Sequence, residues 1–379
     1  MSMDVRQPID TAALESYLHC NTPSILGPLD VKQFSNGQSN PTYLLTSQQK
    51  QRYVLRKKPP AASGNSNSHQ IEREYQILAA LQPSNVPVPR IFGLCQDASI
   101  IGTPFYIMEF LDGRIFDNPW LPTLQPKERS LIWKEALETL AKLHSIDLSA
   151  IGLQHWKKEA SFYNRQISAF NRISAAQAEA KFTTRQQLVG QIPYFEELSR
   201  FFSWANMQPT ERKTLVHGDF KIDNLIFHRS EPRVIGVLDW ELATEGHPLG
   251  DLANLLSPML SSAEDMTWLA EQTLTADLAM SRKMMRSEIT AGVPSIPECL
   301  SWYARLSGWE VSGDDMLWAA AFNSFRTAVI MQGIAARLAR GQTNSAQAVP
   351  FALQTFPYAV LAYARVQQIK DSSGLKGRL

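Results

Sequence analysis

The chain has 379 residues, and its 37 basic against 36 acidic side chains give a formal net charge of +1. That balance excludes the basic excess of a nucleic-acid binder. The apolar fraction of 44% is that of a folded protein, and at ~150 residues per domain the length allows two or three packing units.

Cys20, Cys95 and Cys299 are scattered, odd in number and without metal-ligand spacing, so they read as idle thiols of a reducing compartment. Met1–Asp10 is polar and lacks the apolar core of a secretory leader. The longest apolar stretch, Met316–Ile334, is broken by Asn323, Arg326 and Gln332, whereas a membrane span wants ~20 nearly uncharged residues. The expectation is a cytoplasmic enzyme, monomeric or homodimeric, with no nucleic-acid and no membrane partner.

Thr42–Thr46 and Tyr53–Lys57 are short β-rich runs joined by the polar turn Ser47–Gln51. Pro59–Ser68 is a loop by composition, and His69–Leu81 then carries Ile71, Leu78 and Leu81 at helical spacing. Pro83, Pro87 and Pro89 break the chain before a strand over Arg90–Leu94. Phe105–Phe110 is an apolar strand that ends in the turn Leu111-Asp112-Gly113. Beyond it the pattern is helical: Lys127–His144 with Pro126 suited to its first turn, then Ser161–Ala180, Tyr194–Asn206, Met316–Arg340 and Phe351–Gln368. One β-like island, Leu215–Trp240, interrupts the helices. The fold class is therefore α+β and two-lobed: a small sheet lobe over residues 1–111, a hinge near Leu111, and a larger helical lobe over 112–379.

The island carries the chemistry. Residues 215–227 read LVHGDFKIDNLIF, and 233–241 read RVIGVLDWE. Leu225–His228 and Val234–Leu238 are apolar strands, and the turn Arg229–Pro232 between them has the length that closes an antiparallel hairpin. Asn224 enters the first strand and Asp239 leaves the second, so both stand at the open end, on strands ~4.8 Å apart. An amide oxygen and a carboxylate so placed suit magnesium, which takes few hard oxygen ligands from protein and the rest from water and phosphate. Asp219, five residues before Asn224, could accept a hydroxyl proton, and Lys221 could neutralise charge on the transferring group.

His217-Gly218-Asp219, then Asn224, then Asp239-Trp240-Glu241, resembles the catalytic and metal-binding loops of the aminoglycoside phosphotransferase family, which shares the protein-kinase-like fold. Pro248–Ala253 looks like the helix start that follows this motif in the family, with Asp251 bracing the catalytic loop. The resemblance implies ATP as co-substrate, Mg2+ at Asn224 and Asp239, and a catalytic group of Asp219, Lys221 and His217. For His217, a bracing hydrogen bond is favoured over proton transfer.

The same resemblance makes demands on the small lobe. Asn36, Gly37, Gln38 and Ser39, just before the strand at Thr42, stand where backbone N–H groups would cover the phosphates. Strand alternation puts Val54 and Arg56 on one face and Tyr53, Leu55 and Lys57 on the other, so Arg56 is the phosphate cation, with Lys57 as the fallback. Glu74 shares the stripe of Ile71, Leu78 and Leu81 and would pair with Arg56; Glu72 does not share it. By position alone, the backbone of Glu109 and Leu111 would meet the adenine edge, with Met108 behind the base.

Tyr303–Gly308, and the run from Phe325 through Gln332-Gly333-Ile334 to Arg337, are similar to one branch, the kinase-like domains fused in some relatives to acyl-CoA dehydrogenases. Arg305, Arg326, Arg337, Trp302, Tyr303 and Trp309 there favour a small-molecule hydroxyl acceptor that is acidic or acyl-linked over a polycationic aminoglycoside. The readings set against this kinase are a metal-dependent hydrolase, which lacks any H-E-x-x-H spacing, and a non-catalytic nucleotide-binding pseudokinase module.

Overall fold

A computed structural model describes residues 7–34, 40–59, 71–182, 187–260, 291–343 and 348–373. The small lobe is built on β1 (Asp30–Gln33), β2 (Thr42–Thr46), β3 (Arg52–Lys57), β4 (Ile91–Cys95) and β5 (Phe105–Glu109). Their spatial order is β1-β2-β3-β5-β4, with each neighbouring pair antiparallel. Period-two alternation sends the side chains of β3 into two separate cores. Tyr53 and Leu55 join Leu14 and Leu18 of α1 (Thr11–Asn21) on one face. Val54 joins Ile71, Ile77, Leu78 and Leu81 of α2 (Ile71–Leu81) on the other. Each face of the sheet is thus covered by one helix.

Helix α1 leaves no clear pattern in the sequence. Asp10 caps it, accepting the Ala13 N–H at 2.9 Å. Only Leu14 and Leu18 are buried along it, a stripe too sparse to stand out as a period.

The large lobe holds α3 (Pro126–His144), α4 (Phe162–Ala178), α5 (Phe195–Ser203), α6 (Leu249–Leu256), α7 (Ile296–Ser307), α8 (Gly313–Ala339), α9 (Ala348–Ala352) and α10 (Thr355–Ser372). Ser161, Ser295 and Ser312 cap α4, α7 and α8 by accepting backbone N–H groups. Helix α8, 27 residues and so ~40 Å long at 1.5 Å per residue, is the axis of this lobe. Its Phe322, Phe325 and Val329 pack with Phe170, Phe201, Phe202 and Val366. The apolar stretch Met316–Ile334 lies within it, and among the described residues no helix is long and apolar enough to cross a membrane. The helix expected over Phe351–Gln368 is two. Pro357 has no N–H to donate to a preceding turn, and it sits in the first turn of α10, after the break.

The large lobe also holds two short antiparallel pairs: β7 (Leu225–Phe227) with β8 (Val234–Val237), and β6 (Thr214–Val216) with β9 (Thr244–Gly246). The connector after β5 docks on the first of them. Arg114 and Phe227 exchange backbone hydrogen bonds of 2.7 and 2.8 Å. Leu111 packs on Gly236 of β8, where any Cβ would collide with its Cδ1. Asp112 accepts from Arg52 of β3 at 2.5 Å and also from Arg229, so one carboxylate touches both lobes.

Candidate active site

The loop that follows β6 is fixed from beneath. Gly218 has φ +86°, and a Cβ there would stand 2.7 Å from the Leu242 carbonyl oxygen, so glycine alone suits the bend. Asp251, in the first turn of α6, accepts the N–H groups of His217 at 2.6 Å and Gly218 at 2.8 Å. Its Oδ2 also meets His144 Nε2 at 3.3 Å, and His144 Nδ1 is held by the Tyr303 hydroxyl at 2.8 Å. Burial works to raise the Asp251 carboxyl, but His144 and the N–H donors more than offset it and hold the group below its ordinary range.

The His217 ring is buried with both nitrogens committed. Nδ1 accepts the Asp219 N–H at 3.2 Å, and Nε2 donates to the Leu238 carbonyl at 2.8 Å. Those bonds fix the tautomer and tie the base loop to the strand that leads into Asp239. The place of His217 among the catalytic groups is corrected accordingly: it is a brace, and a ring bonded on both sides to backbone has no nitrogen left for a substrate proton.

Asp219 is partly exposed. Its Oδ2 accepts from Asn224 Nδ2 at 3.2 Å and lies 3.3 Å from Lys221 Nζ, and its Oδ1 accepts from Asn254 Nδ2 at 3.3 Å. Lys221 also reaches Asp223 at 3.3 Å; burial lowers its ammonium, and the two carboxylates reverse this and raise it.

Asn224 closes a short helical turn, Ile222–Asn224, directly before β7. Its carbonyl accepts the Leu238 N–H at 2.9 Å, which sets Asn224 and Asp239 at one end of the β7–β8 pair. The Asn224 Nδ2 donates to the Asp219 carbonyl at 2.8 Å as well as to its carboxylate, so the amide oxygen is turned the other way. Asp239 has φ 68° and ψ 58°, left-handed backbone that aspartate tolerates better than most residues and that clusters at functional sites. Its Oδ1 pairs with Arg56. An amide oxygen and a carboxylate at one end of a strand pair are the hard donors that Mg2+ takes, and the residues fit the ion on that ground. Among the described residues no group of three or more His, Cys, Asp or Glu could hold a metal.

Strand β3 aims Arg56 and Lys57 in opposite directions. Arg56 Nη1 lies 2.9 Å from Glu74 Oε1, and Nη2 lies 2.8 Å from Asp239 Oδ1. Burial opposes the charge of the guanidinium, but Glu74 and Asp239 outweigh it and raise its pKa. Burial likewise lifts the Glu74 carboxyl, with Arg56 pulling it back. Lys57 is buried on the other face, 5.4 Å from the centre of the Tyr43 ring, and burial lowers its pKa. Glu72 pairs with Lys58 at 2.5 Å, away from this group. At the connector, the Glu109 N–H donates to the Arg90 carbonyl at 2.7 Å and its carboxylate accepts the Arg90 N–H at 3.1 Å. Asn36, Gly37, Gln38 and Ser39 lie outside the described residues, as do residues 60–68 of the expected loop.

Asn254, which bonds Asp219, also lines a cavity of about 270 Å3 whose walls include Asn323, Ser324, Thr327, Gln354 and Arg365. Of the arginines and aromatics expected at an acceptor, none lines it. Tyr303 is spent on His144, Arg305 bonds its own helix at Ser301, and Trp309 stacks under Arg212. Arg326 grips the catalytic loop instead, through the Gly218 carbonyl at 2.6 Å. Asn254 carries no signal of its own in the sequence. It follows Asp251 by three residues on α6, and that spacing puts both on the face turned to the loop.

Several known proteins are similar to this chain. A profile described as the phosphotransferase enzyme family matches residues 30–283. The crystal structure of a candidate aminoglycoside phosphotransferase from Ralstonia eutropha is 34% identical, covers 95% of this chain and 99% of its own, and superimposes with a TM-score of 0.75. The ternary complex of an aminoglycoside 2''-phosphotransferase with streptomycin and ATP shares the fold at a TM-score of 0.55 and 16% identity, over 86% of this chain and 90% of its own. Acyl-CoA dehydrogenase family member 11 of Gallus gallus is 37% identical over 355 residues, 92% of this chain and 42% of that protein. The chain thus spans less than half the length of that curated relative.

Proposed function

Because this chain belongs to the phosphotransferase enzyme family, we propose that it moves the γ-phosphate of ATP, with Mg2+, onto a hydroxyl of a small molecule that is acidic or acyl-linked. The observation that carries the reading is the Asn224 side chain, whose amide donors are spent on Asp219 while its backbone pairs with Leu238, next to Asp239. One residue thereby joins a base to a metal-type donor pair.

Asp219 takes the proton of the acceptor hydroxyl as that oxygen forms its bond to the γ-phosphorus and the bond to the β-phosphate oxygen breaks, releasing ADP. Lys221, beside Asp219, offsets charge at the transferring group. Arg56 binds phosphate oxygens from the small lobe while Glu74 fixes its direction. Asn224 and Asp239 would hold the magnesium, which neutralises phosphate charge when bound. The acidic or acyl-linked acceptor is supported by the cavity that Asn254 borders, whose walls carry amides and hydroxyls and no carboxylate among the described residues. The described residues of those walls offer a polycation no counter-charge. The likeness to a protein named as an acyl-CoA dehydrogenase points the same way. The pseudokinase alternative draws on Arg56, which already occupies one oxygen of Asp239.

The test is ADP release from Mg·ATP with a library of hydroxylated acids, hydroxyacyl thioesters and aminoglycosides, using the wild type and Asp219→Ala. Transfer should appear with an anionic acceptor and vanish in the variant, whose nucleotide affinity stays near that of the wild type. Nucleotide binding with no transfer to any acceptor favours the pseudokinase. Equal loss of binding and transfer in the variant removes Asp219 as base.

A further inference from the structure

Arg326 lies in the middle of α8, on a helix that otherwise serves the core of the large lobe. Its Nη2 donates to the Gly218 carbonyl at 2.6 Å, one residue before Asp219. Its Nη1 donates to Asn254 Oδ1 at 3.2 Å. The other end of that amide, Asn254 Nδ2, donates to Asp219 Oδ1 at 3.3 Å and to the Phe220 carbonyl at 3.1 Å. These partners settle the amide orientation. Turned over, it would set NH2 against a guanidinium and oxygen against a carboxylate and a carbonyl.

We propose that Arg326 and Asn254 form a positioning pair for the phosphoryl-transfer base, a role that rests on the phosphotransferase reading above. Asp219 has two carboxylate oxygens with different holders. Oδ2 is held from its own loop by Asn224 and Lys221, and Oδ1 is held from the helical lobe by Asn254 alone among the described residues. Removing the second hold leaves the carboxylate free to turn about its side-chain bonds, away from the acceptor. Arg326 contributes by bonding the Asn254 oxygen, which favours the amide orientation that turns NH2 to Asp219. Asn254, Asn323 and Thr327 also border the cavity of about 270 Å3. The walls that would receive an acceptor and the pair that aims the base therefore share α6 and α8, which places the acceptor's oxygen and the base in one rigid frame. Such registration matters because a misplacement of ~1 Å can cost ~100-fold in rate.

The experiment compares wild type, Arg326→Ala, Arg326→Lys, Asn254→Ala and the double variant. It measures ADP release from Mg·ATP with water and with the best acceptor of the library, and Mg·ADP affinity by calorimetry. Arg326→Ala is expected to lose ~100-fold in kcat with nucleotide KM and Mg·ADP affinity within about twofold, the signature of a lost transition-state alignment. Arg326→Lys should recover about tenfold of that loss, since an ammonium can serve one of the two acceptors. The double variant should be no slower than the worse single one, because the two residues act as a unit. Unchanged kcat in Arg326→Ala, additive losses in the double variant, or KM and affinity deteriorating together with kcat would each overturn the pair. A wild type that neither binds Mg·ADP nor releases ADP fails differently: it takes down the phosphotransferase reading, and the pair with it.

Discussion

Arg56 of the small lobe and Asp239 of the large lobe meet at 2.8 Å, although 183 residues separate them in sequence. The same guanidinium reaches Glu74 at 2.9 Å, so a strand, a helix and the loop that ends β8 converge on one side chain.

That convergence separates Arg56 from its neighbour. Arg56→Lys is expected to raise the KM for Mg·ATP by about tenfold, because an ammonium cannot grip two carboxylates and a phosphate with a planar fork. Lys57→Met should leave that KM unchanged, its ammonium being buried against Tyr43. Steady-state kinetics decides, and the reverse order would move the phosphate contact to Lys57. Arg56→Ala is a poorer probe, since an unpaired buried Glu74 would cost about 3–5 kcal/mol of stability.

Asp239 tests the metal. Asp239→Asn keeps the size and one donor oxygen but removes the charge, so Mg·ADP should bind about tenfold or more weakly while metal-free ADP loses little. Calorimetry with and without Mg2+ reads both numbers. Equal affinities for Mg·ADP in variant and wild type would leave Asp239 as nothing more than the partner of Arg56.

His247 gives the large lobe a pH dependence. Its Nε2 donates to the Thr210 carbonyl at 3.0 Å, its Nδ1 accepts the Leu249 N–H at 3.2 Å, and burial pushes its pKa from 6.5 down to about 4. The unfolded chain therefore takes up this proton first. Stability is full above about pH 6.5, falls by up to about 3 kcal/mol as pH drops toward 4, and gains no further loss from this group below that. Urea midpoints measured from pH 7 to 4 should fall more steeply for the wild type than for His247→Gln. Parallel curves would remove His247 as the source.

Local pattern made much of this legible. The alternation in Tyr53–Lys57 separates Arg56 from Lys57, the stripe through Ile71 and Leu78 selects Glu74 over Glu72, and the short turn after His228 pairs β7 with β8. What stayed hidden depends on contacts far apart in the chain. β6 and β9 pair across the whole hairpin between them, and neither has more than three residues to show a period. Arg326 looks in sequence like any arginine on a helix; its task is set by the Gly218 carbonyl, 108 residues earlier. The role of His217 could not be settled by spacing because both of its partners are backbone groups, which leave no side-chain signature.

Asp112 links Arg52 and Arg229 through half-exposed pairs, each of a kind that contributes no more than ~1 kcal/mol. Contacts that weak add little to the hold that Arg56, paired with Glu74 and Asp239, keeps between the lobes. Both pairs face solvent, so the tie they make between the lobes weakens further in concentrated salt.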